Sequence, residues 1–596
     1  MSNISPVISL RLNWSAEYHG PNPCAHSAVV VAELAADLLP SVEQVSRACE
    51  QLWYGSGMVA SKVETPGSRT GQDHQNSALL VLGRTATAWA KAALNEVRGF
   101  VQHAGAEGGG DVMRLWVGFH HAELSRAALQ LALRTLAELM NGCSSQARLK
   151  ADLEQLWQAC RRYHPDFQAR ILMGAARDMD VPFMPFLAES RDWQFGWGTR
   201  SRVFFETASN ADGALGWRWQ RNKVTSKELM RSLGMPTPGH VLVRDEADLS
   251  HALARVGVPC VVKPLDSGGG KGVTANIRDD QSLRLAFREA RRYSVGPLLV
   301  EQHLAGTDYR LMVVDGQLVA ALQREASCLV GDGLTSLGEL LRRLNSTRFE
   351  NLARSCYLRP IKIDDVLTQH LQGQGVDLDS VLPHGRAVSL RSNANRSTGG
   401  ISTDVTDRLH PQVRAMAEQL AKVMGLRAAG IDYLTLDIAQ DPWSSGGGFI
   451  EINATPGMAV FVAAGWSEEA IGRVLLGEGL GRIPVTLTIV SRDRLPQALE
   501  LLQSRQLEET QGWVCGKELR VGAAALFVKG LRPWEAVGAA LRNPCLQRLE
   551  LVCTGEDIER DGLPVDRFQA VNIQDRTLEQ SWIRVLECAC EGELRP

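Results

Sequence analysis

The stretch GGFIEINATPGM, from Gly447 to Met458, is an apolar strand that runs directly into a Thr-Pro-Gly turn. Side chains alternate between the two faces of a strand, so Glu451 and Asn453 share one face. A carboxylate and an amide oxygen suit a hard cation such as Mg²⁺, which usually completes its shell with water and substrate phosphates. The stretch therefore predicts half of a metal site and directs attention to phosphate-binding residues upstream.

A neighbouring strand supplies a third oxygen ligand. The sequence AAGIDYLTLDIAQ begins at Ala428 and follows a helix predicted over Pro411 to Met424. If this strand pairs with the one bearing Glu451, the Asp432 carboxylate joins the same site. We therefore predict a Mg²⁺ site that bridges nucleotide phosphates and is formed by Asp432, Glu451 and Asn453.

A glycine-rich loop is the candidate phosphate-binding element. The sequence VPCVVKPLDSGGGKGVTANI, from Val258 to Ile277, is a strand, a glycine loop and a second strand. Glycine backbone N–H groups can close over phosphate oxygens, and lysine adds a positive charge. The loop is not a Walker A motif, because a strand follows it, and a plain hairpin is the alternative. Lys223, the second residue of the segment NKVTSKELM, is also a candidate, so the full set is Lys223, Lys263, Gly268, Gly269, Gly270 and Lys271.

The segment PLLVEQHLAGTDYR, from Pro297 to Arg310, predicts a nucleotide-binding strand edge. Backbone groups of a short linker can hydrogen-bond a purine, while carboxylates accept from the exocyclic amine and the ribose hydroxyls. Glu301 and Asp308 are placed for these two roles. The alternative for any one of these charged residues is an ordinary surface ion pair.

A loop rich in hydrogen-bond donors follows further along the chain. The sequence LRSNANRSTGGISTDVTD, from Leu390 to Asp407, contains Arg391 and Asn395 among several polar residues without apolar partners. Such a density of donors suits an anionic transition state, and a flexible surface loop is the alternative.

Composition excludes several classes of protein. The chain has 596 residues, 64 Lys and Arg, 67 Asp and Glu, and a formal charge of −3, which argues against binding of nucleic acid or a membrane surface through bulk charge. The twelve cysteines show no zinc-like or disulfide-framework spacing, and no signal peptide or membrane span is evident. We expect several domains and a cytoplasmic protein.

Residues 1–160 predict an α+β domain without a visible catalytic motif. The apolar stretches Ala28 to Leu34 and Ser77 to Leu82 are interpreted as strands, and Ala122 to Met140 as an amphipathic helix. His120 and His121 precede that helix, and two adjacent histidines do not share a helix face. Core or solvated histidines are therefore favoured over a metal site.

The ordered set of motifs resembles the ATP-grasp fold of carboxylate–amine ligases, and more closely the cyanophycin synthetase family. The N-terminal segment is similar to that family's first domain through YHGPN, FGWG and NKVTSKELM. The resemblance thus extends over nearly the whole chain. The signatures in the remaining part are KPLD (Lys263 to Asp266), GTDYRLMVVDGQLVAA (Gly306 to Ala321), VGDG (Val330 to Gly333), SNANRSTGG and DVTDRLHP (Asp404 to Pro411).

The C-terminal segment departs from the usual family pattern. The resemblance implies entry into a Mur-ligase-like domain at GRIP, from Gly481 to Pro484, but no GxxxxGK[ST] loop follows. This pattern resembles the short form of the family. We therefore expect a multidomain α/β and α+β chain: an N-terminal α+β domain over 1–160, an ATP-grasp domain over 161–484 whose first part is 161–221, and a truncated Mur-ligase-like α/β domain without a nucleotide site over 485–596.

The resemblance implies an activity and a role for each matched residue. ATP would phosphorylate the C-terminal carboxylate of a cyanophycin chain, and the amine of β-aspartyl-arginine would attack the acyl phosphate. Homo-oligomerisation, with a dimer favoured, is also implied. By position, Lys263 would contact the phosphates, and Glu301 and Asp308 would bind adenine and ribose. Asp432, Glu451 and Asn453 would bind Mg²⁺. Arg391 would neutralise the developing phosphate charge and Arg310 would bind the chain carboxylate, with Asn395 in the same catalytic set.

Two departures leave alternatives open. Where the family loop usually has histidine and arginine, this sequence has Gly269 and Lys271. Where the family has Pro-Ser-Thr in the polymer-contacting region of its first domain, this sequence has Phe167, Gln168 and Ala169. One alternative is therefore a ligase that adds a single amino acid to a different acceptor. The other is a non-catalytic partner of a full-length cyanophycin synthetase, motivated by the missing second nucleotide site.

Overall fold

Most of the helices and strands predicted from the hydrophobic pattern of the sequence are present in the structure. The computed structural model describes residues 8–38, 41–58, 73–108, 112–143, 145–187, 190–265, 271–350, 358, 360–391, 394, 399–522, 524–527 and 532–595. Contacts group the chain into two units. One comprises Met1–Met173, Asp180–Ser201 and Gly479–Pro596, and the other Gly174–Met179 and Arg202–Glu478.

The N-terminal segment packs helices against an antiparallel sheet of order β1-β2-β4-β3. Its core joins one sheet face to the apolar faces of four helices and includes the fully buried Trp89 and Leu34. The elements of this segment and the following hairpin are β1 Leu10–Tyr18, β2 Val29–Ala36, α1 Val42–Ser56, α2 Asp73–Glu96, β3 Ala104–Glu107, β4 Val112–Gly118, α3 Ala122–Met140, α4 Gln146–Tyr163, α5 Phe167–Asp178, β5 Phe183–Pro185 and β6 Asp192–Phe195.

One strand prediction in this segment is wrong. Ser77 to Leu82 lies inside helix α2, whereas the predicted helix over Ala122 to Met140 is confirmed. A short apolar run does not distinguish a buried strand from a buried helix, and the length of α2 decides the outcome.

His120 packs edge-on against Trp193 at a centroid distance of 5.4 Å. Within the described residues, no group of three or more His, Cys, Asp or Glu is arranged to hold a metal ion.

The first part of the second unit contains an antiparallel sheet of order β11-β10-β12-β9. Helices α8 and α9 cover one of its faces. They form a separate core in which Phe287 of α9 packs with the strand residues Val262 and Val300. The elements in chain order are β7 Arg202–Phe205, β8 Ala208–Ser209, α6 Ala214–Gln220, α7 Lys223–Ser232, β9 His240–Val243, α8 Leu249–Val256, β10 Cys260–Pro264, β11 Thr274–Ile277, α9 Asp280–Arg291 and β12 Leu298–Gln302.

A second sheet of this unit has the order β17-β14-β13-β18-β19. One face packs on α12 and is lined by apolar residues such as Leu311, Ile431 and Phe449. The elements are β13 Thr307–Val314, β14 Gln317–Glu325, β15 Cys328–Val330, α10 Leu337–Glu350, α11 Asp365–Gln372, β16 Ala387–Ser389, β17 Ile401–Asp404, α12 Pro411–Met424, β18 Ala428–Thr435, β19 Gly448–Asn453, α13 Ala459–Ala463 and α14 Glu468–Leu476.

The C-terminal segment forms an α/β sheet of order β23-β22-β21-β24-β20-β25-β26, in which five neighbouring strands are parallel. Its core includes Leu487, Leu551 and Phe568. The predicted boundaries 160, 484 and 485 between segments stay a prediction. The elements are β20 Val485–Val490, α15 Leu495–Ser504, β21 Gln511–Cys515, β22 Glu518–Val521, β23 Ala524–Phe527, α16 Pro533–Leu541, β24 Arg548–Thr554, α17 Gly555–Asp561, β25 Phe568–Ile573, α18 Gln580–Ala589 and β26 Cys590–Arg595.

The described part of the chain contains no helix long and apolar enough to cross a bilayer. The cysteines that the structure describes are free thiols.

The start of helix α7 generates a first prediction. The side chain of Asn222 accepts hydrogen bonds from the backbone N–H groups of Val224 and Thr225. Replacing such a cap by alanine costs about 1 kcal/mol. We expect Asn222→Ala to speed amide hydrogen exchange in α7 roughly fivefold, measured by mass spectrometry of the peptide that covers 222–232. Asn222→Asp keeps an accepting oxygen and is the matched control; equal exchange in all three proteins would contradict the capping role.

Candidate active site

One face of the five-stranded sheet carries polar side chains from adjacent strands. Asp432 of β18 lies opposite Arg310 of β13 on one side and opposite Glu451 of β19 on the other. Residues directly opposite each other in antiparallel strands point to the same face, with Cβ atoms about 5 Å apart. Asn453 lies opposite Gly430 and shares this face. The predicted pairing of the strands that bear Asp432 and Glu451 is therefore observed.

A cavity of about 660 Å³ opens onto this face and onto one face of the four-stranded sheet. Its size is in the range of small-molecule sites. The structure thus brings together most of the charged and polar residues predicted from the sequence. Those that line the cavity are Lys223, Lys263, Glu301, Asp308, Arg310, Asp432, Glu451 and Asn453.

The carboxylate of Asp432 is buried between two guanidinium groups. Arg310 Nε lies 3.0 Å from Asp432 Oδ1, and Arg324 Nη2 lies 3.1 Å from Asp432 Oδ2. Burial raises the pKa of Asp432 to about 6, although both arginines act in the opposite direction. A buried carboxylate without such partners would be strongly destabilising. The two arginines therefore offset part of the cost of burying an ionised Asp432, and one lies beside each of its oxygens.

Arg324 is a site residue that the sequence prediction missed. It donates a hydrogen bond of 2.6 Å from Nη2 to Asp308 Oδ1, so it joins Asp308 to Asp432. Next to the turn of the hairpin β13–β14, Val314 lies opposite Gln317. A constant register from this pair would place Gln323 opposite Asp308. A bulge near Met312 shifts the register by one residue and places Arg324 there instead. Such a shift moves a side chain to the other face, which is why the pattern did not indicate it.

Gly430 makes room for Arg310. A Cβ atom at this position would lie 2.7 Å from Arg310 Nη1 and 3.0 Å from the Cβ of Pro456. The Nη1 group donates a hydrogen bond of 3.1 Å to the carbonyl oxygen of Gly430. A larger residue in place of the glycine of the sequence GID would therefore displace the Arg310 guanidinium group from this position.

One face of the four-stranded sheet carries, on its two inner strands β10 and β12, a buried cluster of opposite charges. Lys263 Nζ donates a hydrogen bond of 2.5 Å to Glu301 Oε1. On the other side, Lys227 Nζ lies 3.0 Å from Glu301 Oε2. Burial alone would raise the pKa of Glu301, but the two lysines lower it below its usual value. Glu301 is therefore an ionised, oriented hydrogen-bond acceptor on the cavity wall.

Glu451 and Asn453 form the open part of the predicted metal face. Asn453 donates a hydrogen bond of 3.3 Å to Glu451 Oε1, and Lys223 Nζ lies 4.0 Å from Glu451 Oε2. Burial opposes ionisation, but Lys223, Arg310 and Lys263 lower the pKa of Glu451. This oxygen-donor set fits a hard divalent cation. Because both oxygens of Asp432 face arginines, Asp432 would have to share one of them with the cation.

Some predicted residues lie elsewhere. Arg391 is buried and does not line the cavity; its Nη1 and Nη2 donate hydrogen bonds to Asp364 at 2.7 and 3.1 Å. Contact with phosphate would therefore require Arg391 to leave Asp364. Lys271 is exposed and is also absent from the cavity lining. The predictions for Gly268, Gly269, Gly270 and Asn395 fall outside the described residues.

The chain contains a domain of the ATP-grasp class. The ATP-grasp domain model matches residues 228–313. That stretch contains Lys263, Glu301, Asp308 and Arg310, whereas the predicted metal ligands lie beyond it. The predicted ATP-grasp fold is confirmed by this match.

Within that class, the chain is similar to cyanophycin synthetases. It is 30% identical to cyanophycin synthetase of Geminocystis herdmanii over 457 residues, which cover 74% of this chain and 52% of that protein. It is 34% identical to cyanophycin synthetase of Synechocystis sp. over 342 residues, which cover 57% of this chain and 38% of that protein. The chain thus spans about half the length of these relatives or less, and the resemblance predicted from the motifs is confirmed over that part.

The solved structures with partial similarity to the chain include a bifunctional glutathione synthetase from Pasteurella multocida. The two chains are 23% identical, with a TM-score of 0.42, and the match covers 59% of this chain and 50% of that one.

Arg324 generates the second prediction. Arg324→Met leaves Asp308 and the buried Asp432 without their shared cation. We expect a loss of about 3 kcal/mol in the free energy of unfolding, seen as a fall of roughly 5 °C or more in the thermal midpoint of this unit. The exposed Arg408 provides the control Arg408→Met, which should leave the midpoint within about 1 °C.

A double variant distinguishes repulsion between the Asp308 and Asp432 carboxylates from the lost packing of the Arg324 side chain. Asp308→Asn in the Arg324→Met background removes one of the two carboxylates, so part of the lost stability should return. An Arg324→Met protein as stable as the wild type would refute the bridging role.

Proposed function

We propose that this chain is an ATP-dependent ligase that extends cyanophycin, joining the C-terminal carboxylate of the polymer to the amine of β-aspartyl-arginine. The observation that supports this most directly is the single cavity lined both by Lys223 and Lys263 and by the carboxylates of Asp432 and Glu451. Cations for phosphates and oxygen ligands for a metal then face the same space. The similarity to cyanophycin synthetases supports the choice of polymer.

Each cavity residue has a proposed task. Lys223 and Lys263 contact phosphate oxygens, and the Glu301 carboxylate accepts a hydrogen bond from the adenine amine. Asp308, held by Arg324, accepts from the ribose hydroxyls. Arg310 is ordered by contacts to Asp432 and Gly430 and would receive the carboxylate of the polymer.

The reaction requires two steps at this site. A carboxylate oxygen of the polymer attacks the γ-phosphorus of ATP, the bond from that phosphorus to the β,γ-bridging oxygen breaks, and ADP leaves. The dipeptide nitrogen then attacks the acyl carbon, loses a proton and expels inorganic phosphate. Ordered cations that face the developing negative charge lower the barrier because they need no reorganisation during the reaction.

The proposed metal is Mg²⁺, which Asp432, Glu451 and Asn453 would hold. When bound, it would neutralise charge on the nucleotide phosphates. The chain's own contribution is to keep these three oxygen donors on one sheet face with fixed charges around them.

The other parts of the chain have proposed roles that the cavity does not define. Residues 1–160 are the candidate polymer-binding domain, and 485–596 are the truncated Mur-ligase-like domain without a nucleotide site. We further propose that the protein is a cytoplasmic homo-oligomer, with a dimer favoured.

The third prediction is the product of the reaction. With ATP, Mg²⁺, a short cyanophycin primer and β-aspartyl-arginine, we expect one ADP for each dipeptide added. Mass spectrometry should give a ladder with a constant dipeptide increment. Free aspartate plus free arginine should give no ladder and only background ADP release.

Other outcomes distinguish the alternatives. Extension with the free amino acids but not with the dipeptide would refute the proposal. A single addition of one amino acid to a different acceptor would favour the other ligase. An absence of ADP release with a panel of acceptors and amines would favour a non-catalytic partner of a full-length synthetase.

The fourth prediction concerns the metal face. Glu451→Ala removes one proposed ligand and should lower the rate of dipeptide addition by about 100-fold or more. Glu500→Ala changes an exposed glutamate of α15 and should leave the rate within about twofold. Unchanged activity of folded Glu451→Ala, checked by circular dichroism, would contradict the assignment.

A further inference from the structure

Helix α7 presents two lysines to the site, and the role of the second one follows from its burial. Lys223 and Lys227 are four residues apart, so they lie on the same helix face one turn from each other. Lys223 lines the cavity and lies near Glu451, whereas the side chain of Lys227 is 0% exposed. Lys227 therefore cannot contact a ligand in the cavity and acts, if at all, through another residue.

The residue that Lys227 contacts is Glu301. Its Nζ lies 3.0 Å from Glu301 Oε2, and Lys263 occupies the other oxygen, Oε1. Lys263 and Glu301 belong to paired strands, with Val261 opposite Glu301, so they form a diagonal pair on one sheet face. Each oxygen of the carboxylate thus has a lysine ammonium group within 3.0 Å, and the two lysines come from different elements.

Stability alone is a poor reason for this arrangement. Burial of an ammonium group and a carboxylate costs several kcal/mol per ion, and replacement of a buried ion pair by apolar residues is often neutral or stabilising. Burial lowers the pKa of Lys227 to about 8, although Glu301 acts in the opposite direction. The contact therefore has a stability cost, and a gain in the orientation of Glu301 would explain it.

We propose that Lys227 is a positioning residue that orients the Glu301 carboxylate so that its remaining lone pairs accept a hydrogen bond from the exocyclic amine of adenine. This inference rests on the proposed nucleotide site. It adds that the choice of base depends on a lysine that the nucleotide never touches.

The test compares two nucleotides in direct binding, without any peptide substrate. One is a non-hydrolysable ATP analogue, and the other is the corresponding triphosphate of purine riboside, which lacks the exocyclic amine. We expect the wild-type chain to bind the adenine nucleotide about tenfold more tightly, the size of one hydrogen bond to a charged group. Lys227→Met should reduce this preference to less than about threefold, because the Glu301 carboxylate can then rotate.

The controls separate orientation from folding. Lys517→Met replaces an exposed lysine and should keep the tenfold preference. Lys227→Met combined with Glu301→Gln removes both charges of the buried pair. If Lys227→Met alone does not fold, the two nucleotides can still be compared with this double variant. It should also lose the preference for the adenine nucleotide.

The outcomes are distinct. A wild-type preference retained by folded Lys227→Met, or by the double variant, overturns the inference, because a purely structural lysine would change stability without changing base selectivity. A wild-type chain that binds both nucleotides equally also overturns it. A wild-type chain that binds neither nucleotide contradicts the proposed ATP site itself.

Discussion

The carboxylate of Asp432 lies between Arg310 and Arg324 on one face of a sheet whose opposite face is apolar core. Removal of this carboxylate from water is costly unless cations compensate it. The compensating guanidinium groups in turn need space, which Gly430 provides, and a second acceptor, which Asp308 provides. The polar face of the sheet is therefore one connected set of charges, and the candidate metal ligands belong to it.

The same physical rule applies on the four-stranded sheet. There the buried carboxylate is Glu301, and the compensating cations are Lys227 and Lys263. Each of the two carboxylates has a cationic group within 3.1 Å of both of its oxygens. Fixed charges of this kind interact with a substrate more strongly than mobile ones, because little reorganisation remains to be done during the reaction.

Much of the candidate site was predictable because its residues stand beside strong strand and loop signals. Lys263, Glu301 and Glu451 were predicted from their positions in apolar strands, and all line the cavity. The apolar run Ser77 to Leu82 was wrongly interpreted as a strand, since hydrophobicity alone does not separate a buried helix from a buried strand. Arg391 was predicted on the phosphate but pairs with Asp364, a partner too distant in the chain for a local pattern to indicate.

The sequence by itself determined the types of side chain and the faces on which they lie within one strand, because the alternation of a strand is a local property. Only the tertiary structure decided which residues meet across strands. The bulges that leave Val319 and Ile450 without a direct partner shift the register by one residue, so that Arg324 faces Asp308 and Glu451 faces Asp432. Such shifts depend on how strands twist and pack against their neighbours, which the order of residues along one strand does not record.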